Sequence, residues 1–226
     1  MIKLHKLNVD DPIHGSSIEW LQSRNEKLIT ELGAPRPDVG RYENNYRDPR
    51  VKCAVMAETH DKCAYCESKS TANAPGDVEH ILPKAGHPER LLDYHNFTFV
   101  CSWCNICKGN KEYVDGNGLL NPYIDEPNQY VFAAGPMLLP STDHANALRG
   151  IRMIDDLKLD RTPLLEQRAE RLKEKWSVMA REYHNAGTDP IRNLAAHQIK
   201  AAVAPDSEYS MFALSFFELL VPRALL

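Results

Sequence analysis

Two C-x2-C pairs constrain the fold of this chain more than any other feature of its sequence. They are Cys63 with Cys66 and Cys101 with Cys104, and 34 residues lie between them. Four thiolates are the number that a closed, tetrahedral zinc site needs. We therefore predict that these four cysteines hold one structural Zn²⁺, which would contribute on the order of 10 kcal/mol to folding.

Other interpretations of the cysteines are weaker. Four unrelated buried thiols would require two evenly spaced pairs to arise by chance among only six cysteines. A thioredoxin-like redox centre needs a single C-x-x-C, whereas two are present. Cys107 follows Cys104 by three residues and is a competing ligand, although the two pairs already complete the site. Cys53 lies on a predicted helix, where we expect an ordinary buried thiol.

The sequence from the first pair to just beyond the second predicts a small ββα unit. Residues 78–82 have the character of a strand, which Pro83 ends. In residues 97–100 the two phenylalanines, Phe97 and Phe99, alternate with Thr98 and Val100, a pattern that suits a second strand. Residues 102–112 then read as a short helix that is rich in Lys and Asn. The predicted order is strand, loop, strand and helix. Zinc would join the first cysteine pair, before the first strand, to the second pair, at the start of the helix.

The segments before this unit are helical by their capping signals. Ser16, with Glu19 three residues later, fits a capping box that would start a helix ending at Gly33. Asp48-Pro49 predicts a second helix, with proline at the first helical position. That helix delivers the chain to the first cysteine pair.

The segments after the unit are mostly helical too. Residues 130–139 suggest one or two short strands, which Gly135-Pro136 interrupts. An N-cap followed by proline at Thr162 predicts an amphipathic helix that ends near Asn185. Its apolar stripe would be Leu165, Ala169, Leu172, Trp176 and Met179. A final helix is predicted around residues 212–220.

These elements indicate the α+β fold class, with helix as the main component. A chain of 226 residues has room for roughly one to two domains. We divide it into an N-terminal helical arm, a zinc-stapled ββα core and a mostly helical C-terminal region, with the bounds 1–47, 48–118 and 119–226.

Charge and hydropathy exclude some classes of protein. The net charge of −4 and the pI near 6.1 leave no global basic footprint, so nucleic-acid contacts would come from local patches or from another subunit. The first residues lack a charged region followed by an apolar one, so we expect no signal peptide, and no run of about 18 apolar residues predicts a membrane span. The most apolar stretch, residues 211–226, includes Glu218 and Arg223 and fits a buried helix. We expect a cytoplasmic protein, where reduced thiols are available for metal.

A second group of residues suits metal-assisted hydrolysis of a phosphodiester. A neutral His80 can take a proton from water near physiological pH. Glu79 and Asn105 offer hard oxygen ligands for Mg²⁺ or Mn²⁺, which would neutralise charge at the phosphate. Lys108, three residues after Asn105 on the predicted helix, would add a further positive charge there.

Each of these residues has an ordinary explanation when taken alone. A Glu-His dipeptide usually lies on the surface, and an isolated Asn such as Asn96 usually hydrogen-bonds to backbone. Glu79 and His80 would also point to opposite faces of a regular strand. For both to serve one site, the strand must end or bulge near Pro83. Their joint occurrence with the two cysteine pairs favours a catalytic site.

These residues resemble the motif of the HNH endonuclease family, which has a ββα-metal fold. The family motif runs [D/E]-H, then a central Asn, then C-x-x-C-[H/N]-x-x-K. This chain matches it with Glu79-His80, with Asn96 and with the run from Cys101 to Lys108.

The resemblance implies a role for each matching residue. His80 would be the general base, and Asn96 would fix the loop and orient His80. Glu79 and Asn105 would be ligands of the catalytic metal. Asn105 stands where many members have the final His, so this is an H-N-N variant, and an amide oxygen favours Mg²⁺ over softer ions.

A narrower resemblance is to the HNH subunit of Septu-type and retron-linked anti-phage defence systems, the PtuB-like family. It rests on the runs D-K-C-A-Y-C-E, E-H-I-L-P-K and L-L-N-P-Y-I-D-E-P within residues 61–127, and it extends more weakly through the helix after Pro163. It implies a partner, an ABC/SMC-like ATPase, which would reconcile the acidic pI with a nucleic-acid substrate. The apolar C-terminal helices or the N-terminal arm would dock on that ATPase.

The substrate and two other functions stay open at this point. Double-stranded DNA is the substrate expected for the fold, while the retron-linked relatives leave RNA, including tRNA, as an alternative. A catalytically inactive, zinc-stapled nucleic-acid-binding adaptor and a purely structural zinc domain are the other possibilities. The presence of all five motif residues argues against both, because neither needs the complete set.

Overall fold

The structure is a computed structural model that describes residues 1–69, 74–112 and 118–226. Parts of the predicted ββα core, residues 70–73 and 113–117, lie outside the described residues. The chain forms two compact units. We call residues 3–65 and 69–125 the motif unit, and residues 1–2, 66–68 and 126–226 the C-terminal unit. The division into domains at 1–47, 48–118 and 119–226 stays a prediction.

The motif unit contains the predicted strand, loop, strand and helix in that order. Its helices are α1 (Gly15–Leu32), α2 (Pro49–Glu58) and α3 (Ser102–Lys108), and its strands are β1 (Asp77–His80) and β2 (Phe97–Val100). Short 3₁₀ turns accompany them at Gly40–Tyr42, Asn45–Arg47, Pro88–Arg90 and Tyr94–Asn96. β1 and β2 are antiparallel, with Asp77 opposite Val100 and His80 opposite Phe97.

One apolar core joins these elements. It consists of buried side chains from α1, α2, β2 and the segments that connect them: Ile18, Leu21, Leu28, Tyr42, Tyr46, Val51, Ala54, Val55, Leu91, Leu92, Tyr94, Phe97 and Phe99. Burial of apolar area is the main favourable term in folding. The core therefore holds the short two-stranded sheet, which would be marginal by itself.

The carboxylate of Glu58, at the end of α2, is a polar centre in this unit. It accepts hydrogen bonds from the Lys6 ammonium (3.0 Å), the Leu7 amide (2.9 Å), the Tyr94 hydroxyl (2.6 Å) and the Tyr123 hydroxyl (2.8 Å). A buried carboxylate is stable only when such donors replace its water. Glu58 therefore ties the start of the unit and the segment before β2 to α2.

The predicted capping box at Ser16 is wrong. Helix α1 begins at Gly15, after His14, whose side chain makes no capping hydrogen bond. The carboxylate of Asp11 accepts instead from the amides of Ile13 (3.0 Å) and His14 (2.7 Å), directly before the helix. A Cβ atom at position 15 would lie 2.2 Å from the carbonyl oxygen of Val9, so only glycine permits this approach of the chain. The close approach of the preceding turn, which only glycine allows, therefore accompanies the start of the helix.

The predicted start of α2 is confirmed. Asp48 caps the helix by accepting from the amide of Arg50, and Pro49 occupies the first turn. The apolar face, Val51, Ala54 and Val55, is buried as expected. The prediction of a buried Cys53 is wrong, since that residue is exposed. Cys53 lies between Val51 and Ala54 in the sequence but on the opposite face of α2, so its thiol faces solvent.

The C-terminal unit combines a β-hairpin with helices. The predicted strands are β3 (Val131–Ala134) and β4 (Met137–Pro140), which pair antiparallel across Gly135-Pro136. Gly135 has a φ of +59°, which glycine adopts readily. The helices are α4 (His144–Leu157), α5 (Thr162–Arg171), α6 (Ser177–Asn185), α7 (Asp189–Val203) and α8 (Ser210–Phe217), with a π-helical turn at Leu172–Trp176 and 3₁₀ turns at Pro127–Gln129 and Arg223–Leu225.

The predicted apolar stripe of the long helix is partly wrong. Ala169 is exposed, whereas Leu164, Arg168, Trp176 and Ala180 are buried. An uninterrupted α-helix turns about 100° per residue, which would place Trp176 about 120° away from Leu164. The π turn lies between them, and its wider turn brings the two halves of the buried face back into line.

The mainly helical fold class with small two-stranded sheets is confirmed. Among the described residues, every helix is too short or too polar to cross a membrane.

Candidate active site

The four cysteines of the two pairs lie together in the structure. Their sulfur atoms are all within 4.8 Å of one another, with Cys63, Cys66 and Cys104 buried and Cys101 half-buried. Sulfur atoms bound to one zinc at about 2.3 Å lie about 3.8 Å apart in a tetrahedron, so small adjustments would close the group on one ion. The donors fit a structural Zn²⁺. In the part of the chain that the structure describes, Cys107 does not belong to this group.

Lys108 lies in the interior, with 1% of its surface exposed. Its ammonium nitrogen is 2.7 Å from Oε1 of Glu79 and donates to the carbonyl oxygen of His80 at 2.7 Å. Burial raises the pKa of Glu79, and the charge of Lys108 opposes that rise. These contacts fasten the end of β1 to α3. The role of Lys108 at a phosphate stays a prediction, because in this arrangement its ammonium faces protein groups.

His80 ends β1 and is buried in an aromatic environment. Its ring packs edge-on against Tyr46 and Phe97, with centroid distances of 4.7 and 4.9 Å. Its Nε2 atom lies 3.0 Å from the carbonyl oxygen of Leu91. A carbonyl only accepts, so Nε2 carries the proton and Nδ1 keeps its lone pair in the neutral ring.

The protonation of His80 is controlled by its surroundings. Burial lowers the pKa of His80 to about 4, and the positive charges of Lys84 and Lys108 act in the same direction. The hydrogen bond to Leu91 opposes the shift but is smaller. The imidazole is therefore neutral at physiological pH, which is the state that a proton acceptor needs.

Asn96 holds the loop between β1 and β2 closed. Its side-chain oxygen accepts from the amide of Leu82 (2.7 Å), and its side-chain nitrogen donates to the carbonyls of Leu82 (3.0 Å) and Arg90 (3.3 Å). Its backbone carbonyl accepts from the amide of Ile81 at 2.8 Å. The loop clamped in this way supplies the carbonyl of Leu91 that faces His80.

Asn105 faces a surface cleft of about 420 Å³. The side-chain nitrogen of Asn105 donates to Oδ2 of Asp77 at 3.2 Å. The cleft is lined by Tyr46, Arg47, Lys52, Asp77, Val78 and Asn105. Its lining therefore combines a carboxylate, an amide and two cations.

The alternation of a strand explains which motif residues meet. Asp77 and Glu79 lie two residues apart on β1 and share a face. Asn105 and Lys108 lie three residues apart on α3 and also share a face. The two faces meet, giving the contacts Asp77 with Asn105 and Glu79 with Lys108. His80 lies on the other side of the strand, against the aromatic rings.

Sequence reasoning missed four residues that the structure places beside the motif: Tyr46, Arg47, Lys52 and Asp77. Asp77 lies one residue before the predicted strand 78–82, whereas β1 begins at Asp77, so Asp77 shares the face of Glu79, two residues further on. The other three come from the segment before the cysteine pairs. No local spacing signals their position, since only the packing of α2 against the sheet brings them to the cleft.

The oxygen donors at the cleft fit a hard divalent cation. The carboxylate of Asp77 and the amide of Asn105 lie within hydrogen-bond distance at its wall, and Glu79 is the next carboxylate on the same face of β1. Carboxylate and amide oxygens are the ligands that Mg²⁺ and Mn²⁺ prefer. Asn105, Asp77 and Glu79 are therefore the side chains that would hold such an ion.

Comparison with known proteins gives one informative similarity. The chain is 27% identical over 199 residues to Septu protein PtuB of Bacillus thuringiensis, covering 81% of this chain and 75% of that protein. No protein-family model matches the chain. The similarity spans both compact units and supports a relation to Septu proteins.

The purified protein is expected to contain about one zinc per chain, because four converging thiolates close a structural site. Cys66→Ser should lose the metal and become insoluble, since the buried site would lack one ligand. Cys107→Ser is the matched control and should keep the metal. Elemental analysis together with the soluble yield measures both effects. A soluble wild type without zinc would contradict the site, and metal loss in Cys107→Ser would implicate the competing ligand.

Acid should destabilise the protein through His80. The unfolded chain takes up this proton near pH 6.5 and the folded chain only near pH 4. Between these values the unfolded state binds more protons, so the free energy of unfolding falls by about 2 kcal/mol from pH 7 to pH 5. Urea unfolding at both pH values, compared with His80→Gln, measures the difference. An equal pH dependence in the two proteins would show that His80 is not held neutral.

Proposed function

We propose that this protein is a metal-dependent endonuclease of the HNH type that hydrolyses phosphodiester bonds of nucleic acid. The observation that carries the proposal is His80, a neutral imidazole with one nitrogen engaged by a backbone carbonyl and the other left to accept a proton. It lies at the end of a strand whose other face presents Asp77 to Asn105. The strands and helix around it follow the order that the family motif implies.

In the proposed mechanism His80 is the general base. Its Nδ1 atom takes the proton of the attacking water, and the Leu91 carbonyl, which accepts from Nε2, stabilises the imidazolium that forms. Burial opposes a lasting charge on this ring, so the proton is passed on readily after the step. Asn96 positions the loop that carries the Leu91 carbonyl, and thereby orients His80.

Asn105, Glu79 and Asp77 are the proposed side chains around the catalytic cation. When bound, Mg²⁺ or Mn²⁺ supplies positive charge against the charge that develops on the phosphate and the leaving oxygen. Lys108 holds Glu79 in place through the 2.7 Å contact, and its charge opposes the rise in the pKa of Glu79 that burial causes. The four cysteines hold α3, and with it Asn105, through structural zinc.

The biological role that we propose is anti-phage defence in the cytoplasm, as the nuclease subunit of a complex with an ABC/SMC-like ATPase. Its support is the similarity to a Septu protein across most of the chain together with the motif runs within residues 61–127. The net charge of −4 also favours a partner that contributes to binding the nucleic acid.

Double-stranded DNA is the proposed substrate, with RNA, including tRNA, as the second candidate. The inactive adaptor remains the competing function. Adaptor and nuclease differ in one measurable respect, because the adaptor would bind nucleic acid without cutting it.

Replacing His80 should abolish cleavage. Wild type, His80→Ala and His95→Ala are incubated with plasmid, single-stranded DNA and tRNA, with Mg²⁺ or Mn²⁺, and with or without the co-purified ATPase. Loss of a general base lowers the rate by about 10²–10⁴-fold. His95 is an exposed histidine just before β2 and serves as the matched control.

The substrates that are cut decide between DNA and RNA. Equal cleavage by wild type and His80→Ala would contradict the mechanism. Binding without cleavage of any substrate, with the ATPase present, would favour the adaptor.

The surface that docks on the ATPase is also testable. Deleting residues 211–226 would remove Phe212 and Phe217 from the core, so a point substitution is sharper. Leu219 is 84% exposed after α8, and Leu219→Glu should abolish co-purification if the C-terminal helices dock. Ile13, 78% exposed before α1, gives the matched variant Ile13→Glu for the N-terminal arm. Co-purification unaffected by Leu219→Glu would count against the C-terminal version.

A further inference from the structure

We propose that the cleft beside Asn105 binds the phosphodiester backbone of the substrate through Arg47 and Lys52. Both residues precede the cysteine pairs and lie outside the family motif. This inference rests on the proposed nuclease function and names the groups that hold its substrate.

Arg47 is placed at the cleft with most of its donors unused. It ends the 3₁₀ turn Asn45–Arg47, and its Nε donates to the hydroxyl of Tyr46 at 3.2 Å. The guanidinium lies 5.5 Å from the centre of the Tyr46 ring. One donor is thus engaged, and the two terminal amino groups remain for a planar, bidentate contact with phosphate oxygens.

Lys52 is held at the same cleft from α2. Its ammonium donates to the carbonyl of Gly76 at 2.7 Å and lies 5.9 Å from the centre of the Phe99 ring. An ammonium has three donors, so two remain for a ligand. The carbonyl contact fixes the direction of the side chain before any ligand arrives.

Neither cation forms an ion pair with a described residue, although the hydrogen bond to Tyr46 and the more distant charges of Glu43 and Asp77 raise the pKa of Arg47. Within the described residues no carboxylate lies within ion-pair distance of Arg47 or Lys52. Neighbouring arginines behave differently, since Arg50 pairs with Asp48 and Arg41 pairs with Glu31. Two unpaired cations on different elements, directed at one cleft, form a site for an anion with more than one oxygen.

The position of the cleft suits a phosphate that is to be hydrolysed. Tyr46 lines the cleft and also packs edge-on against His80 at 4.7 Å between ring centroids. Asp77 and Asn105, the proposed cation ligands, form part of the cleft wall. The phosphate contacts, the oxygen ligands and the base therefore lie around one aromatic ring.

Because the whole chain is acidic, its affinity for nucleic acid would depend on Arg47 and Lys52. With a net charge of −4 the protein has no general attraction for nucleic acid, so affinity depends on local cations. The motif cation Lys108 is 1% exposed and engaged with Glu79, which leaves the cleft to Arg47 and Lys52.

The test is equilibrium binding of a short fluorescent DNA duplex and its matching RNA to the full chain. His80→Ala serves as the background, so that the ligand stays intact, and Mg²⁺ is present. Arg47→Gln and Lys52→Gln are each expected to weaken binding about tenfold. The slope of log affinity against log salt should fall by about 0.9 per lost contact for a duplex.

Arg50→Gln is the matched control, because it removes the same charge from the same helix region and its side chain is 55% exposed. It should bind like the parent. Arg47→Lys should restore the salt slope, and thermal unfolding should be unchanged in Arg47→Gln, which separates a ligand contact from a structural role.

The outcomes distinguish the two proposals. Wild type that cuts nucleic acid, with Arg47→Gln and Lys52→Gln indistinguishable from Arg50→Gln, overturns this inference and leaves the nuclease standing. Wild type that neither cuts nor binds any nucleic acid, with the co-purified ATPase present, overturns both. Weaker binding and a smaller salt slope in the two cleft variants alone support the inference.

Discussion

The buried ammonium of Lys108 is the contact on which the arrangement of the site depends. It joins the last residue of α3 to Glu79 and to the carbonyl of His80 on β1. Removing one partner of a buried ion pair costs about 3–5 kcal/mol, because the other charge stays desolvated. The same seven-residue helix begins at the cysteine group, so it is held at both ends. Asn105, midway along it, is thereby placed against Asp77.

The two sides of β1 provide different environments for different chemistry. On one side, carboxylates meet the polar face of α3, where Lys108 contacts Glu79 and Asn105 donates to Asp77. On the other, aromatic rings surround His80 and keep it neutral. One short strand therefore places two carboxylates on one face and a neutral imidazole on the other. This resolves the difficulty that Glu79 and His80 point to opposite faces.

Local patterns predicted the elements that depend on local physics. Both strands of the motif unit and α3 were predicted, although β1 spans Asp77–His80 rather than 78–82 and α3 ends at Lys108 rather than 112. Two short strands were predicted at 130–139, but not their pairing across Gly135. Helix α4 was missed because Gly150 weakens its helical signal, yet a Cβ there would lie 2.1 Å from the carbonyl of Tyr130. The start of α7 could have been predicted from Asp189-Pro190, which places an acidic residue and a proline in the first turn of the helix. The π turn of the long helix could not be predicted from local sequence. It realigns the buried residues on either side of it, and only the packing of the helix determines which residues those are.

The sequence by itself determined the chemistry that is available: four cysteines in two pairs, a Glu-His dipeptide at the end of a strand, and Asn105 with Lys108 on one helix face. Only the tertiary structure decided the partners. It turned Lys108 inward to Glu79, paired Asn105 with Asp77, and brought Arg47 to the cleft from outside the motif. The physical reason is that spacing along a helix or strand fixes which residues share a face. Which face meets which depends on strand register and helix packing across the whole unit.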